Sequence, residues 1–288
     1  MPKVSILMIV KDEESTLEVA LASLQAQTFQ DWECVIVDDF SSDSTPEILA
    51  GLRDPRFLVH RSEKPLGRGA ARRKSLSLAR GEYIGTLDGD DFYCPQKLER
   101  QVAVLDSDPE LSATVTGMLL CTLDGKLLGK ASGYWAPGLR QLPNRIQHLR
   151  IPFAAVLYRA EHIGENQYDQ DFRQTEDQQF FSKLLLGRRV SVTPDHLYVY
   201  RWVFEAEDVI SGLRQSEKLY SSTLKTDPFT SLALVLYTRC KRILYRAISQ
   251  LGLWETFKRI RYHRANASEK KALDDYLRLL ASNTPCIG

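Results

Sequence analysis

Three carboxylates fall within four residues at Asp88-Gly89-Asp90-Asp91, directly after the run Tyr83-Ile84-Gly85-Thr86-Leu87. The run, with its aromatic and β-branched residues, predicts a buried strand, and carboxylates at its mouth repel one another unless a cation or hydrogen-bond donors compensate. Oxygen ligands of this kind select Mg²⁺ or Mn²⁺ over zinc or copper, and such metals are commonly held by one or two carboxylates plus the oxygens of a phosphorylated substrate. The chemistry these residues could do is therefore metal-diphosphate binding. The same four residues also read as a solvated turn after an ordinary strand, since Asp and Gly are common turn residues.

The surrounding pattern decides between these readings. Val4 to Val10 predicts a first strand, followed by a helix with Leu17, Leu21 and Leu24 on one face and a possible capping box of Ser15 with Glu18. Cys34 to Val37 predicts a second strand ending in Asp38-Asp39, then a Ser/Asp-rich loop and a helix with Pro46 in its first turn. Phe57 to Val59 predicts a third strand, and a helix opening at Gly67-Arg68-Gly69 runs to Arg80, where Gly81 stops it. The pair Gly67-x-Gly69 lacks the third glycine of a dinucleotide fingerprint and instead lets the helix start lie near the sheet. A β-α repeat of this kind predicts a mostly parallel sheet flanked by helices, with ligands at the carboxyl ends of the strands. Those ends carry Lys11-Asp12, Asp38-Asp39 and Asp88-Gly89-Asp90-Asp91.

Taken in order, Val10-Lys11-Asp12-Glu13-Glu14, Gln27-Thr28-Phe29, Val37-Asp38-Asp39 with Ser41 to Thr45, Gly69-Ala70-Ala71-Arg72, Gly81-Glu82-Tyr83-Ile84 and Asp88-Gly89-Asp90-Asp91 closely resemble the motifs of family 2 glycosyltransferases. The likeness spans about the first hundred residues. It implies an α/β fold of the GT-A type, a nucleotide-sugar donor such as a UDP-sugar, a divalent metal (Mn²⁺ or Mg²⁺) and inversion at the anomeric carbon. By position, Asp39 resembles the residue that hydrogen-bonds the nucleotide base, Asp88 the one near the ribose, and Asp90 the metal ligand of the DXD motif that reaches the diphosphate. Arg72 matches an arginine near the nucleotide, and Lys11 occupies a position where many relatives carry an aromatic residue against the base.

The resemblance extends to Arg173-Gln174-Thr175-Glu176-Asp177, similar to the family's Glu-Asp motif at the start of a helix facing the cleft, which implies Asp177 as the general base for the acceptor hydroxyl. Phe180, Phe181, Leu184 and Leu185 give that helix an apolar face, and Gly187 ends it. Acids here also suit a helix N-terminus by capping and dipole alone. Relatives often carry a histidine two residues after the Tyr-Arg of a late strand; here Tyr200-Arg201 is followed by Trp202-Val203. Two other classes use similar residues: a nucleotidyltransferase, which needs a Gly-rich loop with a cation after the first strand, and a catalytically silent saccharide- or nucleotide-binding domain. Lys11-Asp12-Glu13-Glu14 is not that loop, and intact Asp90 and Asp177 speak against a silent domain.

The expected organisation is a catalytic domain over 1–204, with a donor-binding half (1–94) and an acceptor-side half (95–204), and a C-terminal helical extension over 205–288. Within the second half, Pro95 starts a helix with Leu98, Val102 and Leu105 inward, and Asp124-Gly125 predicts a hairpin. The stretch from Gly133 to Pro152 is an aperiodic acceptor-side loop, with Trp135 placed either to stack on a sugar or to pack. A formal net charge of +1 over 288 residues excludes a general nucleic-acid binder. Five scattered cysteines suit a reducing, cytoplasmic setting. No apolar run approaches the ~20 residues that cross a bilayer, and the chain enters its first strand without a cationic-apolar leader. Between Arg239 and Arg264, Lys and Arg interleave with Ile243, Leu244, Leu251, Leu253, Trp254, Phe257 and Ile260. This predicts a basic amphipathic helix that either lies on an anionic membrane surface, as a lipid-linked acceptor would require, or packs on the catalytic domain.

Overall fold

Alternating strand and helix periods become alternating elements in the computed structural model, which describes residues 1–131, 135–145, 149–169, 176–201, 206–224, 227–261 and 267–283. The order is β1 (Val4–Val10), α1 (Leu17–Gln25), β2 (Trp32–Asp38), α2 (Thr45–Ala50), β3 (Phe57–Arg61), α3 (Arg68–Leu78) and β4 (Tyr83–Thr86), then β5 (Phe92–Tyr93), α4 (Lys97–Ser107), β6 (Leu111–Cys121), β7 (Leu127–Lys130) and β8 (Gly138–Gln141). There follow β9 (Val156–Arg159), α5 (Glu176–Leu184), β10 (Arg189–Arg201), α6 (Ala206–Ser222), α7 (Pro228–Gln250), α8 (Trp254–Arg261) and α9 (Ala267–Asn283). Arg173 to Thr175, Trp202, Val203 and Arg264 lie outside the described residues.

The strands form one sheet in the order β3-β2-β1-β4-β9-β6-β10-β5, with β7 on β6 and β8 on β10. The half from β3 to β4 is parallel, as its helical crossovers require. Beyond it β9 runs antiparallel to both β4 and β6, while β10 returns parallel to β6, so the sheet is mixed. The aperiodic loop after Gly133 contains one strand not foreseen, β8, paired with β10. Its four residues, Gly138-Leu139-Arg140-Gln141, carry a single apolar side chain, the exposed Leu139, and leave no hydrophobic period to read. Trp135 packs against the cluster of Leu142, Leu149 and Phe181, with the Arg140 guanidinium 5.4 Å from its ring.

Local details differ from the sequence expectation in two places. The capping box of Ser15 and Glu18 does not form: Thr16 is the N-cap of α1, and its hydroxyl donates to Glu13 Oε2 at 2.9 Å instead. Helix α3 ends at Leu78, two residues before Arg80, because the backbone N–H groups of Arg80 and Gly81 turn to Ser5 Oγ. Gly81 is there for closeness, since a Cβ would lie 2.4 Å from the Ser5 amide nitrogen. Gly67, by contrast, has open space around it and is the N-cap at a φ of 82°.

The core lies on both faces of the sheet. Leu17, Leu21 and Leu24 of α1 and Leu98, Val102 and Leu105 of α4 are buried with Ile6, Met8 and Ile36. Phe180, Phe181, Leu184 and Leu185 pack with Tyr158 and Tyr168 on the other face, which fixes the direction of α5. Helix α9 completes a third cluster: Leu273, Tyr276 and Leu280 pack with Ala22, Phe92 and Val199, and the Tyr276 hydroxyl donates to the Tyr93 carbonyl, 183 residues away in sequence, at 2.8 Å.

Candidate active site

The loops that follow β1 and β2 are zipped together by their own polar side chains. Asp12 Oδ1 accepts the Ser42 amide at 2.7 Å, the Asp12 amide donates to Ser41 Oγ, and the Glu13 amide donates to Thr45 Oγ1 at 2.8 Å. The Ser/Asp-rich composition thus satisfies backbone groups that two strand ends would otherwise leave unpaired. Asp12 (φ 55°) and Phe40 (φ 63°) hold left-handed backbone at these two strand ends. Non-glycine residues pay for that conformation, and it clusters at functional sites.

Asp39, 4% exposed, accepts the amides of Leu66 at 2.5 Å and Gly67 at 3.0 Å. It therefore ties the end of β2 to the loop that opens α3, and α3 delivers Arg72. The buried Arg72 guanidinium donates to Asp88 Oδ1 at 2.8 Å and to Glu176 Oε1 at 3.2 Å. Arg68, one turn earlier on the same face of α3, reaches the same Glu176 oxygen at 3.2 Å. Two arginines thus link the carboxylate loop after β4 to the first turn of α5, where Asp177 sits. Lys11 is exposed immediately past the end of β1.

The carboxylates separate into roles by environment. Burial opposes the charge on Asp88, but Arg72 and Arg68 outweigh it and hold its pKa below the usual value. Asp90 has burial and then the Asp88 charge against it, and its pKa is pushed up to about 6. Glu13 is raised to about 7 by burial and then by Asp90. Gly89 makes room for it, since a Cβ there would meet Val10 Cγ1 at 3.0 Å and Glu13 Cγ at 3.4 Å. Asp91 is fully buried and is a structural carboxyl: it accepts the Tyr198 hydroxyl at 2.6 Å and the Arg201 amide at 2.8 Å, joining the loop to β10. Asp177 is pushed up to about 6, by burial first and the neighbouring Glu176 charge second, against the pull of Arg72 and Arg68.

Among the described residues no group of three or more His, Cys, Asp or Glu side chains forms a closed metal cage. The donor set nevertheless fits a divalent cation: Asp90, crowded by Asp88 and Glu13 with too little positive charge nearby, is the kind of carboxylate that binds Mg²⁺ or Mn²⁺ together with phosphate oxygens and water.

Several residues of this site escaped the sequence reading. Arg68 was legible as the i−4 neighbour of Arg72, and Glu13 as an acid at a strand end. Arg201 stood out in the sequence only as part of the late-strand Tyr-Arg pair, with no role of its own. Its buried guanidinium lies within electrostatic reach of Asp91, Asp90 and Glu13, and its Nε has no hydrogen-bond partner. Only the pairing of β10 beside β5 and β6 brings it there.

A parallel β-α half sheet with carboxylates and arginines at its strand ends, continued by a mixed half bearing an acidic helix start, is an architecture of the GT-A type. The chain matches the family model "Glycosyl transferase family 2" over residues 5–160 and belongs to that family. It is 26% identical to an uncharacterized glycosyltransferase of Methanocaldococcus jannaschii over 78% of this chain and 79% of that one. It is 31% identical to the succinoglycan biosynthesis protein ExoO of Rhizobium meliloti over 69% of this chain and 60% of the relative's length. Among solved structures, S. aureus TarS 1-349 in complex with UDP-GlcNAc superposes with a TM-score of 0.65 at 22% identity, over 78% of this chain and 67% of that one. The mannosyltransferase PcManGT of Pyrobaculum calidifontis, in complex with GDP-Man and Mn²⁺, gives 0.62 at 18% identity over 99% of this chain and 81% of its own.

Proposed function

We propose that the protein is an inverting, metal-dependent glycosyltransferase that moves a sugar from a nucleoside diphosphate, UDP in the favoured reading, to a hydroxyl of a saccharide or lipid-linked saccharide acceptor, as in bacterial surface polysaccharide assembly. The observation that supports it most is the Arg72 bridge between Asp88 and Glu176, which joins the carboxylate loop to the first turn of α5, beside Asp177. The UDP-GlcNAc of TarS and the GDP-Man with Mn²⁺ of PcManGT support a nucleotide sugar and a divalent metal. Asp39 and Lys11 flank the base end of the crevice, and Asp88 the ribose. Asp90 would hold a divalent cation, which would supply positive charge to the leaving diphosphate. Deprotonated Asp177 takes the proton of the acceptor hydroxyl as that oxygen bonds to the anomeric carbon, and the bond to the nucleotide diphosphate breaks with its electron pair leaving on phosphate oxygen. Arg72 and Arg68 hold positive charge at that place in a partly dry cleft, where it acts more strongly than in water. A thermal-shift panel of UDP-, GDP- and TDP-sugars with and without Mn²⁺ tests the donor, since a ligand that binds only the folded state raises its stability. A Mn²⁺-dependent shift with a UDP-sugar is the expected result, and no shift with any nucleotide sugar refutes it.

A membrane-surface acceptor belongs to the same reading. The basic stretch is two helices, since α7 closes before Gly252 (φ 69°) and α8 begins at Trp254. Trp254 and Phe257 pack inward on Tyr245, whereas Phe229, Leu232, Leu236, Ile243 and Leu251 are exposed on the side of α7 opposite its buried Ser231, Val235, Thr238 and Tyr245. Arg239 and Arg246 flank that side, Arg239 sharing Glu217 of α6 with Arg242 of the buried side, and cations beside exposed apolar groups suit an anionic lipid surface. No helix among the described residues is long and apolar enough to cross a membrane. The protein should sediment with anionic vesicles at low salt and be released at high salt, with the double variant Leu236→Glu/Ile243→Glu staying in the supernatant. Absence of sedimentation by the wild type at low salt points to a non-lipid acceptor.

A further inference from the structure

The first turn of α5 has nothing apolar to anchor it. Its residues are Glu176, Asp177, Gln178 and Gln179, and the apolar side that seats the helix on the sheet begins only at Phe180. The first N–H groups of a helix also lack partners within it, so an end of this kind frays unless side chains hold it. Here polar contacts on both sides of Asp177 in sequence do so. Glu176 is gripped by Arg72 and Arg68, each with its Nε 3.2 Å from Oε1, and that contact belongs to the site already described. Gln178 is gripped by a different element.

Helix α6 supplies that second grip. The Tyr220 hydroxyl accepts Gln178 Nε2 at 2.6 Å and Ser216 Oγ donates to Gln178 Oε1 at 2.7 Å, so both ends of the amide are met by residues one turn apart on α6. All three side chains are buried. Ser216 offers the same proton to the Gly212 carbonyl of its own helix at 3.1 Å, the longer of the two contacts. Tyr220 is firmly seated: its ring packs with Leu219 and with Val235 of α7, and the Thr223 and Ser231 hydroxyls join the same two helices at 2.9 Å. Glu217, between the two clamp residues, pairs with Arg239 and Arg242 of α7.

What Gln178 does for its neighbour follows from its backbone. Its amide donates to Asp177 Oδ1 at 2.6 Å, so a side chain that cannot turn fixes the N–H that aims the Asp177 carboxylate. A buried amide met at both ends has one orientation, because any other leaves a polar atom unpaired at a cost of about 1–3 kcal/mol. An apolar residue would fill the same interface with less to lose if it shifted. A displacement of about 1 Å at a reacting group can cost about 10²-fold in rate, so a clamp remote from the chemistry can matter to it.

We propose that α6 is the positioning element for Asp177, acting through the Ser216 and Tyr220 hydrogen bonds to Gln178. The three clamp residues touch neither donor nor acceptor in this role, and the helical extension from residue 205 becomes a working part of the transfer site. That the aimed carboxylate serves as general base rests on the proposed function; the aiming does not.

The test compares Tyr220→Phe, Ser216→Ala and Ser216→Thr in the full chain. The first two each remove one hydrogen bond and keep the packing, and the third keeps the hydroxyl. The carboxyl ¹³C resonance of Asp177, assigned by its absence in Asp177→Asn, should move in Tyr220→Phe and Ser216→Ala, with its titration midpoint displaced by about half a pH unit or more. The groups that bear on that titration, Glu176 beside it, Arg72 and Arg68 on α3 and the Tyr168 hydroxyl, are untouched by these substitutions. Amide hydrogen exchange in the first turn of α5 should quicken about tenfold in the same two variants, the effect of one hydrogen bond lost locally. Ser216→Thr should match the wild type in both measurements. The thermal shift given by UDP with Mn²⁺ should be equal in all, since the donor contacts lie elsewhere. UDP release from UDP-glucose with Mn²⁺ should fall about tenfold in kcat with KM unchanged, and Tyr220→Phe added to Asp177→Asn should slow it no further, because residues acting as one unit are non-additive. An Asp177 signal and α5 exchange like the wild type's in Tyr220→Phe and Ser216→Ala overturn the proposal, as does a full further slowing by Tyr220→Phe in the Asp177→Asn background. If the wild type shows neither a UDP shift nor UDP release while the Asp177 signal still moves, the donor reading fails and the clamp stands.

Discussion

Replacing Asp177 with Asn lowers the rate of sugar transfer by about 10²–10⁴-fold, the usual contribution of a positioned general base, while nucleotide-sugar binding stays close to wild type. The substitution keeps size and polarity. It also keeps an oxygen able to accept the Gln178 amide, which Asp177 Oδ1 now does at 2.6 Å, so the start of α5 is preserved. What is lost is the basic lone pair. The pH profile gives a second readout. With its pKa raised to about 6 by burial and by Glu176, Asp177 is protonated below that pH and cannot accept a proton. The wild-type rate should therefore fall roughly tenfold per pH unit below about 6 and level off above it. In Asp177→Asn that limb should vanish along with the rate. Wild-type turnover in the variant reduces Asp177 to a helix-capping acid, and lost donor affinity instead makes it a binding residue.

Asp90→Asn should abolish the Mn²⁺-dependent part of the stabilisation by UDP and leave the fold intact. A ligand at a hundred times its Kd stabilises a protein by about 2.7 kcal/mol, so the missing shift is well within reach of a thermal melt. The metal-free protein should change in the opposite sense. Asp90 has a folded-state pKa of about 6 against an ordinary 3.8, so its charged form is disfavoured in the folded state. Stability from this carboxyl is fully present below about pH 4, is lost as pH rises from there to about 6, and does not return above it. Without metal, Asp90→Asn should therefore melt above wild type at pH 7 and match it at pH 4. That pairing of higher stability with lost ligand response is the mark of a charge kept for binding. Undiminished Mn²⁺-dependent UDP binding in the variant removes Asp90 from the metal role.

Much of this protein was legible along the chain because the information is local. The periods of Val4–Val10, Leu17–Gln25 and Trp32–Asp38 dictate strand, helix, strand, and short crossovers make those strands parallel. The polar strand ends, among them Asp39, Asp88 and Asp90, follow from where each apolar run stops. The acidic start and apolar face of α5 are likewise a matter of helical spacing around Glu176, Asp177, Phe180 and Phe181.

Tertiary structure decided whatever depends on which distant segments meet. Asp88 and Asp90 are alike in sequence, yet Arg72 and Arg68 keep one charged while the other is pushed toward neutrality, and Asp91 between loop and β10 becomes a buried structural carboxyl. Where α9 packs was likewise not legible: Leu273, Tyr276 and Leu280 lie against Ala22 of α1, Phe92 and Val199, a surface assembled from distant segments. Burial and Coulomb energy depend on distances in space, and no spacing rule along the chain carries them across more than 100 residues, from Arg72 to Glu176.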